Sequence, residues 1–334
     1  MDKPTMTDYV TLIFTLFEKF EQQMNQESAK RGKPFTYSQQ CFIVLFVILQ
    51  FRRIFKFKAQ RAWLDEHPEI VEILKWERVP HRTTFSRRYK ALYPILQTFI
   101  LFVGQEATEL GDELANYHLV EDKSLFKTQE PVWHQNDRQA GRIPEKLRHL
   151  DTDATWGKSA YQGWVYGYGL HMTCTEDGFP KLIQVETASV KESPVIDQKA
   201  DIILNQLRPV TVAADNGYVK ATRIRTWAKR GVILLTPAKK WVKGRYAQAY
   251  HRFIKENDNR QRLSRRRTSV EPLFDLFTHV LGCEGKNKQL LLQRFTNVAT
   301  CLSLATLTIQ IAMIVNSMWQ MPFRNVSHMR AVFS

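Results

Sequence analysis

The sequence predicts an α/β domain that is preceded by an all-α region and followed by a helical extension. Apolar residues recur at helical spacing in residues 9–20, and the first 110 residues read as helical. From about residue 116, strand-like runs alternate with helical ones, and residues 289–319 form a long, largely apolar helical stretch. The expected division is residues 1–110, 111–285 and 286–334.

The first region is predicted to contain short helices, the second over residues 38–54. Pro80 interrupts the chain, and Thr83 or Thr84 is expected to cap a new helix with a basic exposed face. This arrangement is typical of a helix-turn-helix-like DNA reader, although an ordinary helical bundle with a basic rim fits equally well. The expected DNA-binding residues here are Arg82, Arg87, Arg88 and Lys90.

The charge is unevenly distributed along the chain. The net charge is +15, and residues 220–267 hold sixteen Lys and Arg against only Glu256 and Asp258. A segment with so large an excess of basic over acidic residues indicates a polyanionic partner. A solvated basic surface is the alternative. The expected DNA-binding residues in or beside this block are Lys239, Lys240, Lys243, Arg245, Arg265, Arg266 and Arg267.

Other features exclude several classes of protein. The four cysteines are far apart and form no C-x-x-C pair, which favours neither a zinc site nor a disulfide scaffold. The apolar run near residues 41–51 is too short for a bilayer, and the first residues lack the features of a signal peptide. A cytoplasmic protein without membrane contact is therefore expected.

Two aspartates follow predicted strands. Asp215 follows the apolar run 210–214 and precedes an Asn-Gly turn, and Asp122 follows the run 117–120. If the strands are neighbours, both carboxylates lie at one sheet edge and need a cation such as Mg²⁺ between them. An Asp that only opens the turn is the alternative at Asp215, and Glu121 and Asp153 compete with Asp122.

Glu271 lies in a basic segment ahead of an apolar helical stripe. Thr268-x-x-Glu271 matches a capping box, and Pro272 is tolerated only in a first turn, so a helix is expected to begin nearby. Helix initiation alone would explain this glutamate, but it can also face a metal site.

A long loop is expected over residues 123–162. It mixes aromatic and basic residues, which can stack on unpaired bases and hold phosphates, or simply pack the loop on the sheet. Its expected DNA-binding residues are Trp133, His134, Trp156 and Lys158.

The order of strand-Asp122, strand-Asp215-Asn-Gly-Tyr and Arg267-x-x-x-Glu271 resembles the DDE transposases of bacterial insertion sequences. The resemblance covers most of the chain and implies an RNase H-like catalytic domain. It implies that Asp122, Asp215 and Glu271 hold two Mg²⁺ or Mn²⁺ ions for strand cleavage (endonuclease activity) and strand transfer at the ends of the element. The implied partners are the terminal inverted repeats, target DNA and a second copy in a homodimer, all at the bacterial nucleoid.

One departure from the family concerns its Tyr-Arg-Glu-Lys signature. Ser264 stands at the Tyr position and Thr278 at the Lys position, so other cations would have to contact phosphate. The candidates are Arg265, Arg266, Lys286 and Lys288. Two alternative functions stay open, a metal-dependent nuclease without strand transfer and a non-catalytic DNA-binding protein derived from a transposase.

Overall fold

The computed structural model describes residues 3–25, 37–147, 149–239, 241, 243–283, 285 and 288–332. Lys240 and Lys286, both named above as possible DNA contacts, lie outside the described residues.

The described part of the first region contains six helices. They are α1 (Met6–Asn25), α2 (Gln39–Phe51), α3 (Phe57–Glu66), α4 (Pro68–Ile73), α5 (Arg82–Ala91) and α6 (Tyr93–Glu106). The Ser38 side chain begins α2 by accepting a hydrogen bond from the Cys41 amide at 3.2 Å. Helix α2 is apolar on every side, and accordingly it is buried along most of its length.

Helix α5 begins differently from the prediction. His81, and not Thr83 or Thr84, is the capping residue, and its side chain accepts from the Thr83 amide. Arg87 and Lys90 are exposed as expected, but Arg88 is only partly exposed. Its guanidinium donates to the Tyr37 carbonyl at 2.9 Å, and it thereby holds α5 to the chain before α2.

A mixed sheet follows. Its strands are β1 (His118–Lys127), β2 (Thr155–Ser159), β3 (Gly163–Thr175), β4 (Pro180–Thr187), β5 (Thr211–Ala214) and β6 (Ile233–Leu235). The order is β2-β3-β1-β5-β6, and β4 also pairs with β3. Strands β1, β5 and β6 are parallel, whereas β3 runs antiparallel to β1, β2 and β4.

Strand β1 is longer than predicted. It does not end before Asp122, because β3 pairs with it from Leu119 to Lys127. The expected loop is also partly ordered into secondary structure, since it contains β2 and the short helix α7 (Gln135–Gln139).

Helices cover both faces of the sheet. On one face, α8 (Glu192–Ile202) and α9 (Ala221–Lys229) pack with β5, β6 and α10 (Arg245–Phe253). On the other face, α11 (Asn257–Leu281) and α12 (Phe295–Met318) pack with the N-terminal helices. The chain ends its described part in α13 (Ser327–Val332). This layered arrangement confirms the predicted α/β fold with flanking helices.

The start of α11 was predicted wrongly. The helix begins at Asn257, so Thr268 is no cap and Pro272 lies inside the helix. A proline at this position has no N–H to give to the Thr268 carbonyl four residues earlier. Arg324 supplies the missing donor at 3.1 Å, and its Nε also donates to the Asp177 carbonyl at 2.7 Å. The interior proline is therefore tolerated because a later segment satisfies the backbone.

Among the described helices, α12 is the longest apolar one, and the 41–51 run belongs to the shorter α2. The length of α12 and its mean hydropathy of 2.0 would allow it to cross a membrane, but its apolar window is entirely buried inside the protein. It shares one core with α1, α2, α6, α11 and the sheet. A core helix accounts for this composition, and the boundaries near residues 110 and 285 stay a prediction.

Candidate functional site

Asp122 and Asp215 occupy matching positions on neighbouring strands. The parallel register of β1 and β5 pairs Glu121 with Ala214, so each aspartate comes one residue later. Paired residues of parallel strands project to the same face of a sheet, and the two carboxylates therefore share the face covered by α11. The predicted juxtaposition of these two side chains is present in the fold.

The Asp122 carboxylate is partly shielded and tightly held. Its Oδ2 accepts from Arg266 Nη1 at 2.6 Å, and its Oδ1 accepts from the Lys123 amide at 2.8 Å. Burial raises the pKa of Asp122 to about 6, and the charge of Asp215 also raises it, although Arg266 acts in the opposite direction. A divalent cation beside both carboxylates would offset this cost.

Asp215 ends β5 and opens the next turn. Its side chain accepts from the Gly217 amide at 2.7 Å, which is the local role considered as the alternative from the sequence. A methyl group on Gly217 would lie 3.0 Å from Asp215 Oδ1 and 3.4 Å from Glu192 Oε2. Glu192, in the first turn of α8, is therefore a further carboxylate beside Asp215, and its sequence context gave no sign of this.

Tyr218 lies underneath this turn. Its side chain is fully buried, and its hydroxyl has no hydrogen-bond partner among the described residues. Burial raises its pKa well above the ordinary value, and the charges of Glu121, Asp122, Glu192 and Asp215 raise it further. The hydroxyl is thus a neutral donor close to the carboxylates.

Glu271 lies on α11, five residues after Arg266, and among the described residues it makes no hydrogen bond to the partners of either aspartate. It is exposed on α11, and no group of three His, Cys, Asp or Glu side chains suited to a metal ion occurs in the described part of the chain. Its charge does act on Lys288, whose pKa is lowered by burial and raised by Asp275, Cys283 and Glu271. Lys288 Nζ donates to Ser124 Oγ at 3.1 Å, two residues beyond Asp122. Lys288 thus bonds to β1 through Ser124, and its pKa responds to the charge of Glu271.

The competing carboxylates have other partners. Glu121 is completely buried on the opposite face, where it pairs with Lys199 at 2.7 Å and accepts from Thr173. Asp153 accepts from the Phe295 amide at 3.0 Å and pairs with Arg294 at 3.6 Å, at the start of α12. These contacts favour Asp122 as the aspartate that lies with Asp215.

The basic block divides into two groups. Some of its cations are structural: Arg223 is buried and pairs with Asp197 at 2.7 Å, and Arg262 pairs with Glu176 at 3.0 Å. Within this block, the described cations that were predicted to bind DNA and are exposed are Lys239, Lys243, Arg245, Arg265 and Arg267. The Lys239 amide donates to Asn216 Oδ1 at 3.0 Å, so this exposed group begins beside Asp215.

The aromatic residues of the long loop are held by the protein itself. The indole N–H of Trp133 donates to the Arg142 carbonyl at 3.0 Å, and that of Trp156 to the Trp133 carbonyl at 2.9 Å. Trp156 also contacts Tyr166, with ring centroids 5.4 Å apart. His134 and Lys158 are exposed, and Lys158 Nζ lies 5.8 Å from the centre of the Trp164 ring. Packing explains both tryptophans well, and their contact with DNA stays a prediction.

The mixed sheet flanked by helices is that of an RNase H-like domain, with the two aspartates on or directly after its neighbouring parallel strands and the basic helix α11 over one face. The transposase DDE domain matches residues 117–304, from the start of β1 into α12. That span exceeds half of the chain, and the protein belongs to this family. Membership implies a transposase-type activity on DNA. No curated protein matches the chain.

Proposed function

We propose that this protein is an insertion-sequence transposase that cleaves DNA at the ends of its element and joins them to target DNA. The observation that carries the proposal is the pairing of Asp122 and Asp215 in register, with Arg266 from α11 against Asp122. These three residues lie within the matched transposase domain.

The carboxylates fit a hard divalent cation. Asp122 and Asp215 supply oxygen ligands from one sheet face, and burial with mutual repulsion makes their paired negative charge unfavourable without a cation. Asp122 and Asp215 would hold Mg²⁺ or Mn²⁺, with Glu271 as the third ligand that the family resemblance implies. When bound, such ions lower the pKa of a nucleophilic hydroxyl and stabilise the leaving oxygen.

The remaining residues would position DNA. Arg266 can bind a phosphate beside Asp122, because its planar guanidinium suits two oxygens at once. In this scheme Lys288 takes the phosphate contact of the signature lysine, whose position is Thr278 here. Lys288 bonds to Ser124 on β1, two residues from Asp122. The exposed cations from Lys239 to Arg245, with Arg265 and Arg267, would continue the contact along the backbone.

We assign recognition of the terminal inverted repeats to the N-terminal helices. Arg82, Arg87 and Lys90 are exposed on or beside the basic side of α5, as a groove-reading helix requires. Joining two ends of an element in one complex would use two copies of the chain.

The test is an assay with labelled duplexes that carry the repeats flanking the gene, together with a plasmid target and Mg²⁺. Nicked ends covalently joined to the plasmid are expected, and an Asp215→Asn variant should give neither product. Nicking without joining would identify a nuclease. Tight, specific binding without nicking in any divalent metal would identify a non-catalytic DNA-binding protein.

A further inference from the structure

A second surface suited to binding lies between α9 and α10, the two helices that follow Asp215 in the chain. Helices α9 and α10 enclose an open groove of about 720 Å³, lined on one side by Arg225 and Lys229 and on the other by Tyr246 and Phe253. Its walls are mainly apolar, yet its rim is basic. No residue of the transposase triad lines it.

The floor of this groove is rigidly anchored. The Tyr250 hydroxyl donates to the Leu234 carbonyl at 2.7 Å and accepts from the Thr236 amide at 2.8 Å, which fixes α10 to the end of β6. Trp241 packs against Tyr250 with ring centroids 5.4 Å apart. Tyr250 and Trp241, the apolar residues at the base of the groove, are therefore held in place by contacts within the folded domain.

Tyr246 differs from these floor residues because it is 68% exposed. The Arg225 guanidinium lies over its ring, 5.7 Å from the centroid. With the guanidinium over one face of this exposed ring, a base can stack on the other face while its phosphate contacts the cation. Trp133 and Trp156, in contrast, are partly buried and bonded to backbone carbonyls.

Charge identifies the class of occupant. Residues 221–255 contain no Asp or Glu, and both Arg225 and Lys229 are exposed at the rim. Such a surface fits an anionic ligand that also has flat apolar faces, and a nucleic-acid strand with unpaired bases has both properties. A base in a duplex could not reach the ring face of Tyr246, because both of its own faces are already stacked.

Two parts of the chain link the groove to the Asp215 turn. Helix α9 begins six residues after Asp215, and the Lys239 amide, in the segment that leads to Trp241, bonds to Asn216 at 3.0 Å. A strand that leaves the carboxylates in this direction would pass the groove.

We propose that the α9–α10 groove binds a short single-stranded segment of DNA, with one base stacked on Tyr246 and adjacent phosphates on Arg225 and Lys229. The choice of DNA as the nucleic acid rests on the proposed transposase function. Binding in the groove itself requires no catalysis, so the two proposals can fail separately.

The experiment measures affinity of the full chain for a labelled oligothymidine and for a duplex of equal length by fluorescence anisotropy. Tyr246→Ala should weaken single-strand binding about tenfold, as expected for the loss of one stacked base. Tyr246→Phe retains the ring and should stay within about twofold of the parent. Arg225→Gln should also weaken single-strand binding, and it provides a second variant if Tyr246→Ala does not fold.

Tyr117→Ala is the matched control. Tyr117 is similarly exposed, at 66%, but it precedes β1 at the end of the sheet away from the carboxylates. It should leave both affinities unchanged. As a direct readout, iododeoxyuridine in the oligonucleotide should photocrosslink to the peptide that contains Tyr246.

Three results would overturn the groove proposal. Tyr246→Ala could lose as much affinity for the duplex as for the single strand, it could keep its single-strand affinity, or the crosslinks could form only to other peptides. If the groove binds single strands in this Tyr246-dependent way but no cleavage occurs with any metal, the transposase proposal fails and the groove proposal stands. If single-strand binding does not depend on Tyr246 but cleavage and joining still occur, the groove proposal fails and the transposase proposal stands.

Discussion

Glu121 and Asp122 are adjacent carboxylates on one strand, yet the two faces of the sheet give them different environments. Glu121 has no exposed surface and is enclosed by Lys199 and Thr173. Asp122 keeps 22% of its side chain exposed and meets Arg266 from a helix rich in cations. The first carboxylate has a complete set of partners inside the protein, whereas the second is accessible from outside.

This difference shows why residue type alone does not identify a functional carboxylate. Burial raises the pKa of both carboxyl groups, but the charges around the two groups are arranged differently. Lys199 is itself buried and committed to Glu121, while Asp122 is further disfavoured by the neighbouring charge of Asp215. A site that brings two carboxylates together where solvent can reach them is suited to a cation.

The strongest test of this contrast is the loss of each carboxylate in turn. Asp122→Asn or Asp215→Asn should reduce DNA cleavage by about 10³-fold or more, because metal-based stabilisation is worth several kcal/mol. Both variants should fold normally. Glu121→Gln should keep the parent's cleavage rate per folded molecule, measured beside circular dichroism, and a loss equal to that of Asp122→Asn would erase the distinction between the faces.

The second test breaks the buried pair. Lys199→Met leaves Glu121 without its ion-pair partner and should lower the free energy of unfolding by about 3–5 kcal/mol. The double variant Glu121→Leu with Lys199→Met removes both charges and should recover most of that loss in urea unfolding. If the double variant is no more stable than the single one, the buried charges do not act as a pair.

The third test uses pH. Since the pKa of folded Asp122 is about 6, protons should compete with the cation below that value, and cleavage should fall about tenfold per pH unit below 6. In metal-free protein the folded state holds this proton more tightly than the unfolded chain does. The free energy of unfolding should therefore decrease as pH rises from about 4 to 6. Asp122→Asn should remove this decrease, and an unaltered pH profile in that variant would assign the titration elsewhere.

The smallest expected effect concerns Arg266. Arg266→Gln removes the nearest positive charge from Asp122, so the Asp122 pKa should rise and the midpoint of the cleavage profile should move to higher pH. Arg267→Gln is the matched control, since Arg267 is exposed on the same helix. Identical shifts in both variants would show that general electrostatics, and not the contact at 2.6 Å, sets this pKa.

The parts of the fold that could be predicted are those encoded by local periodicity. The apolar run 210–214 before Asp215 corresponds to β5, and the predicted helical stretch 289–319 contains α12. The adjacency of Asp122 and Asp215 was also expected, from two neighbouring strands; β1 and β5 do pair in parallel there, although β1 continues past Asp122. The family resemblance added the identity of the domain, which the comparison confirms.

What could not be predicted depends on contacts between distant segments. The extension of β1 past Asp122 comes from its pairing with β3, and the position of Pro272 inside α11 depends on Arg324. The ion pair of Arg266 with Asp122 joins residues 144 positions apart. Helical spacing could show that Arg266 and Glu271 lie on different sides of α11, but only once the true start of that helix is known.

The bond from Arg324 to the Thr268 carbonyl has a consequence for biosynthesis. The helix that carries both Arg266 and Glu271 lacks one of its own backbone donors, and the replacement comes from a residue made 56 positions later. Until the segment after α12 has been made, only solvent can donate to the Thr268 carbonyl. The protein's own hydrogen bond to this carbonyl, between the arginines and the glutamate of α11, forms only when Arg324 is in place.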